Sequence, residues 1–162
     1  DSENKEKEEK LREQEKEKRL EQRQIAKERI PIIAKSLLEC KQGTTTIDEI
    51  TIELAESGKA NFCYSDSNNY DDVFHIGLGE VLCKSDPKMV YCGLFEQGEK
   101  IRAIVYAGDE ISKEKSAGDI VKSISQILGG AGGGSAKFAQ GGGTDKSKKE
   151  DAIKNAKSMI IE

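Results

Sequence analysis

The chain has 162 residues, 35% hydrophobic and 35% charged, with no tryptophan and a formal net charge of −4. That is room for one compact domain with an appendage, and it excludes a uniformly basic nucleic-acid binder. The charge is unevenly spread: residues 1–42 carry 12 Lys/Arg against 11 Asp/Glu, residues 43–128 carry 8 against 15, and residues 129–162 carry 6 against 4.

Residues 3–29 read as a solvated helix. Glu6–Lys10 and Glu8–Arg12 stand one turn apart, and each such pair adds a few tenths of a kcal/mol. Only Leu11 and Leu20 interrupt the polar run before Ile25, which is too polar all round for a coiled coil. Pro31 either kinks this helix or opens a second one. Ile32, Ile33, Leu37 and Leu38 then form an apolar stripe ended by Gly43. Thr44-Thr45-Thr46 reads as a linker or a helix start. Ile50, Ile52 and Leu54 alternate, Ser57-Gly58-Lys59 turns the chain, and Phe62 and Tyr64 follow, which predicts two strands. A helix over 47–56 competes, because Ile47, Ile50 and Leu54 also fit its period.

A helix is expected after Asn68-Asn69, with Asp71 and Asp72 at its positive end. Val73, Phe74, Leu78, Val81 and Leu82 make its face, and Pro87 closes it. MVYCGLF (89–95) and IRAIVYAG (101–108) read as strands around a turn at 96–99, the second buried on both faces. Ser116 with Asp119 opens the next helix, whose face is Ile120, Val121, Ile124, Ile127 and Leu128. GGAGGGSAKFAQGGG (129–143) holds eight of the 16 glycines. Ser147 to Glu150 forms a capping box for a last amphipathic helix carrying Ala152, Ile153, Ala156, Met159 and Ile160. The expected fold class is α/β of the α+β kind. A long N-terminal helical arm (1–43) precedes a small mixed-sheet domain (44–162) with flanking helices and a glycine-rich loop.

Little in the chain points to catalysis. Cys40, Cys63, Cys83 and Cys92 are widely spaced, without the close ligand pairs of a zinc site. Cys63, Cys83 and Cys92 lie among apolar residues and read as small core hydrophobes. His75, the only histidine, sits between Phe74 and Ile76 and reads as structural. Asp71 and Asp72 are explained by the helix dipole. No secretory signal and no membrane-length apolar run is visible, so the cytoplasm is the expected location. The start at Asp1, inside a charged run, reads as a fragment of something longer.

The glycine segment lacks the Gly-x-x-x-x-Gly-Lys-Ser/Thr pattern, and a helix precedes it where Gly-x-Gly-x-x-Gly needs a strand. Bare backbone permits positive φ and close approach by a ligand or another backbone. GDIVKSISQILGGAGGGSAKFAQGGG resembles the C-terminal, DHH-associated domain of alanyl-tRNA synthetases, shared with DHH-family phosphodiesterases and exonucleases. The block ending Ala139-Gln140-Gly141-Gly142-Gly143 is similar to the synthetase version. The phosphodiesterase version carries a His where this chain has Ser135-Ala136. The specific match covers about residues 116–143.

The resemblance implies a parent alanine–tRNA ligase that uses ATP and Mg and has a Zn-bearing editing domain upstream. None of those residues lies in this chain, so no catalytic, cofactor or metal site is expected here. The domain would bind alanine-specific tRNA at its outer corner and support a homodimer, with no membrane partner. The expected tRNA contacts are Gly132, Gly133, Gly134, Lys137, Phe138, Gln140, Gly141, Gly142, Gly143, Lys146, Lys148 and Lys149. Phe138 either stacks on an exposed base pair or plugs the loop into the core. The expected dimer contacts are Ile25, Ile32, Ile33, Leu37, Leu38, Ile153 and Ile160. Two alternatives stand beside this reading: the substrate-binding domain of a DHH-family phosphodiesterase, and a helical protein-interaction module using the arm and residues 32–38.

Overall fold

The computed structural model describes residues 2–161 except 41, 48, 68 and 69, and of Gln22 the backbone only. Helix α1 (Ser2–Glu39) runs through Pro31 without a break. Its first twenty described positions are exposed, whereas Ala26, Ile30, Ile33, Ala34 and Leu37 are buried. Those five lie at helical spacing, so one stripe packs while Ile25, Ile32 and Leu38 face out. The stripe rests on α2 (Asp72–Ser85). Gly77 is the contact point: a methyl there would stand 2.7 Å from Ile30 Cδ1.

Among the described residues seven strands form one sheet: β1 (Gly43–Ile47), β2 (Ile50–Glu56), β3 (Asn61–Asp66), β4 (Met89–Gln97), β5 (Lys100–Ala107), β6 (Gly133–Gly134) and β7 (Phe138–Gly143). Their spatial order is β1-β2-β3-β4-β5-β7-β6. Only β3 and β4 are parallel, as the α2 crossover between them requires. Helix α3 (Ala117–Ile127) joins β5 to the glycine segment, and α4 (Lys149–Ile161) ends the described chain.

The sheet has a helix layer on each side. Ile50, Ile52, Leu54, Cys63, Met89 and Tyr91 face α1 and α2. Phe62, Val90, Cys92, Leu94, Ile101, Ala103 and Val105 face α3 and α4. Burying both faces explains why the central strands read as continuous apolar runs. Cys63, Cys83 and Cys92 are buried free thiols, and Cys40 is an exposed one. Burial pushes the Cys83 thiol up to about 12, so these sulfurs behave as core atoms.

The structure corrects four local expectations. Thr44-Thr45-Thr46 is strand β1: β-branched residues suit an extended ladder, and Glu49 at φ 67° closes the hairpin back to β2. The glycine-rich loop holds two strands, β6 and β7. At α3 the Ser116 side chain makes no cap; carbonyls of the glycine segment do the work, Ala136 O accepting from Ala117 N at 2.8 Å and Ser135 O from Gly118 N at 3.0 Å. Before α4 the cap is Asp145, whose carboxylate accepts from Ser147 N at 3.2 Å. The Asn68-Asn69 turn lies outside the described residues.

Candidate nucleic-acid interface

The glycine segment is threaded between α3 and β5, and its bareness serves the chain's own packing first. A Cβ at Gly130 or Gly143 would fall under 3.0 Å from a backbone carbonyl, of Gly142 and Leu128 respectively. One at Gly142 would strike Ile101 O, one at Gly141 the Ser125 hydroxyl, one at Gly132 the Gly141 Cα, and one at Gly134 the Phe138 carbonyl. Gly142 also sits at φ 147°, which L side chains rarely adopt. The expectation that these glycines are bare so that RNA can approach is therefore corrected for Gly132, Gly134, Gly141, Gly142 and Gly143. Gly133 differs: its nearest neighbour would be Lys122 Cε at 3.8 Å.

The ladder decides which side chains share a surface. β5 and β7 are antiparallel, with Tyr106 opposite Phe138, Ile104 opposite Gln140 and Arg102 opposite Gly142. Opposed residues point to the same side. Tyr106 packs on Gly79 of α2, so this is the α2 side. Helix α2 reaches β4 and β5, while α3 covers the other side of β5, β6 and β7. β7 thus presents half-buried Phe138 and Gln140 beyond the edge of α2. Tyr106 and Phe138 pack with ring centroids 5.1 Å apart and planes tilted by 48°.

At the other end of this shelf lies a cleft of about 220 Å³ lined by Lys100, Arg102, Gly129, Gly130, Ala131, Gly142, Gly143 and Thr144. Two cations thus stand over bare backbone, the composition of a phosphate contact. Sequence reasoning missed Lys100 and Arg102. They carry no motif, and only the register that sets Arg102 opposite Gly142, with Lys100 two residues before it on the same strand, brings them to the cleft.

The lysines that sequence singled out do not gather into one patch. Lys137 pairs with Asp109 at 2.7 Å beside Phe138, and that hydrogen bond and charge hold the Asp109 carboxyl below its ordinary range. Lys146 donates to Gly98 O at 2.9 Å and lies 3.6 Å from Glu96. Lys149 pairs with Asp66 at 2.6 Å, and Lys148 is exposed. Lys137 and Lys146 flank opposite ends of β7, roughly 20 Å apart for six residues at ~3.3 Å each.

A helix, a glycine block, a short insert and a second glycine block, folded as a strand pair against a mixed sheet, now stand together. The model of the DHHA1 domain matches residues 61–162. The chain belongs to the DHHA1 family. Alanine–tRNA ligase of Nitrosopumilus maritimus is 50% identical over 103 residues, which cover 64% of this chain and 11% of that protein. Alanine–tRNA ligase of Cenarchaeum symbiosum is 41% identical over 92 residues, covering 57% and 10%. The chain therefore spans about a tenth of the length of these curated relatives. The crystal structure of the C-Ala domain from Aquifex aeolicus alanyl-tRNA synthetase superposes with a TM-score of 0.63 at 25% identity, covering 68% of this chain and 99% of that one. The DHHA1 domain here is thus homologous to the C-terminal domain of alanyl-tRNA synthetases.

Four of the expected dimer contacts are corrected. Ile33 and Leu37 of the DHHA1 chain are 0% and 1% exposed against the α2 side, and Ile153 and Ile160 are buried in the core under α4. Helical period alone could not tell a face buried within the chain from one buried between chains. Ile25, Ile32 and Leu38 remain exposed, with Leu11 and Leu20 further along α1.

His75 is fully buried. Its Nδ1 lies 2.7 Å from the Tyr91 hydroxyl and 3.2 Å from Ser65 Oγ, which are 2.5 Å from each other. The ring stacks on Phe95 at 5.2 Å, and burial lowers its pKa to about 3. Neutral, enclosed and facing two hydroxyls, His75 is a packing element. Among the described residues no group of three His, Cys, Asp or Glu side chains stands where it could hold a metal ion. No described helix is long and apolar enough to cross a membrane.

Proposed function

We propose that this chain is the tRNA-holding C-terminal module of a cytoplasmic alanine–tRNA ligase, and that it binds without catalysing. The observation that carries this reading is the shelf on β5 and β7, cationic at Lys100 and Arg102 and aromatic at Tyr106 and Phe138. It suits an RNA corner, where a backbone phosphate and an exposed base surface lie close together. The kinship with alanine–tRNA ligases supports tRNA as the ligand. ATP, Mg and Zn chemistry belongs to domains upstream. Filter binding of alanine-specific tRNA across a salt series tests the proposal. Arg102→Ala with Lys100→Ala lowers the salt slope by about one to two units if both contact phosphate. Phe138→Ala weakens binding about tenfold, the scale of one lost base stack. Slopes and affinities unchanged in both variants reject the shelf, and pyrophosphate exchange by the purified chain rejects its non-catalytic role.

The reading includes a homodimer, supported by the exposed ridge of Ile25, Ile32 and Leu38 on α1. Ile25→Asp and Ile32→Asp each weaken self-association in sedimentation; indifference to both places the contact elsewhere.

A further inference from the structure

The cations around the shelf fall into two kinds. Lys100 and Arg102, which line the cleft, pair with no carboxylate among the described residues. The lysines at the two ends of β7 each face one: Lys137 stands 2.7 Å from Asp109, and Lys146 stands 3.6 Å from Glu96.

The Lys137–Asp109 pair is too open to serve the fold. The two side chains are 61% and 82% exposed, and exposed pairs of this kind contribute little to stability. The backbone that carries them is nonetheless fixed. Ala107 N donates to Lys137 O at 2.8 Å, Gly108 N to Met89 O at 2.8 Å and Glu110 N to Pro87 O at 3.1 Å. A Cβ at Gly108 would stand 2.5 Å from Pro87 O, so the end of β5 is closed against the turn between α2 and β4. Ser112 Oγ donates to Asp109 O at 3.3 Å. The carboxylate is thus mounted on a bonded strand end, next to a lysine that adjoins Phe138.

This placement discriminates between polyanions. A strand without defined shape binds through the sum of the cations it can reach, because counterion release supplies nearly all non-specific affinity. A folded RNA corner draws in addition on stacking and on fit. A carboxylate set on a lysine removes that lysine from the first sum. It leaves the second intact when the corner is seated by the two bare cations of the cleft and by the rings of Tyr106 and Phe138.

We infer that Asp109 is a specificity-determining residue of the RNA shelf, withholding Lys137 from polyanions that lack the corner's shape. The seated phosphate then belongs to Lys100 and Arg102. Asp109 takes this role only on the tRNA-holding reading above, which it deepens.

Filter binding by the whole chain compares alanine-specific tRNA with poly-uridine RNA of the same length across a salt series. Asp109→Asn removes the charge at nearly constant shape. Poly-uridine affinity rises about fivefold, the scale of one unit charge at contact in water, while tRNA affinity changes by less than about twofold. The poly-uridine salt slope steepens by up to about one unit as Lys137 joins the contact. Asp109→Glu keeps the charge and the wild-type ratio of the two affinities. Equal gains for both RNAs, unchanged poly-uridine binding, or a wild-type ratio lost in Asp109→Glu overturn the role of Asp109. Weaker tRNA binding by Asp109→Asn also overturns it, by showing that the carboxylate positions Lys137 for the tRNA. In each of these cases the shelf itself stands if Arg102→Ala with Lys100→Ala still lowers the tRNA slope. A wild-type chain that does not bind tRNA overturns both.

Discussion

A single methyl separates two glycines that look alike in sequence. Gly142→Ala sets a Cβ against the Ile101 carbonyl at a φ of 147°, and neither can yield without moving β5. The expected cost is about 1–3 kcal/mol, the overpacking range, or more. Gly133→Ala meets only the end of Lys122 and leaves thermal stability nearly unchanged. Paired melting curves check the contrast. His75 carries the second prediction at this scale. Its pKa is lowered from 6.5 to about 3 by burial, so the native state holds the neutral ring while the unfolded chain takes up a proton. That stability is fully present above pH 6.5 and is lost as pH falls toward 3, by about 1.4 kcal/mol per unit within the window. His75→Phe removes the titrating ring and flattens the decline between pH 6.5 and 4 relative to wild type. Parallel stability curves for the two proteins refute this assignment.

The glycine hairpin and α3 hold one another at the scale of the element. The loop carbonyls of Ser135 and Ala136 cap the start of α3, while Leu128 O at its end accepts from Thr144 N and Asp145 N at 3.0 and 2.9 Å. Midway, Ser125 Oγ accepts from Gly142 N at 3.0 Å in a fully buried site. Ser125→Ala leaves that N–H without its partner and costs about 1–3 kcal/mol. Because β7 supplies one wall of the cleft, the same change also weakens tRNA binding on the proposed reading. A variant that melts like wild type shows that the hydroxyl is dispensable. Pro31 illustrates the reverse case. It removes one helix bond from α1, yet the buried stripe from Ala26 to Leu37 straddles it and keeps the helix whole.

For the whole molecule, the stripe on α1 divides the helix into a packed part and a free one. Residues 2–21 are all exposed, so they contribute helix without core. Deleting residues 1–23 is expected to lower the helical signal in circular dichroism while the melting temperature changes by no more than about 2 °C. A larger fall shows that the free part braces the domain. The sheet and its two helix layers, by contrast, are one body, because β5 faces α2 on one side and α3 on the other.

The sequence by itself determined most of the elements. Period two at Ile50–Leu54 and period 3.6 at Phe74–Leu82 and Ile120–Leu128 record burial directly, and a motif of glycine blocks around a short insert pointed to the family. It did not determine what tertiary packing alone decides. Thr44-Thr45-Thr46 has no apolar alternation, so it becomes a strand only because β2 lies beside it. Glycine has no side chain to report which neighbour fills its space, so β7 reads as loop until α3 and β5 close on it. Ile33 and Ile153 announce burial but not the partner, and folding spends both inside the chain. Lys100 and Arg102 are ordinary charges until the ladder sets Arg102 against Gly142 and brings both to one cleft. Local pattern encodes how much of a residue is hidden; register and layer order decide from what, and those depend on contacts between residues far apart in the chain.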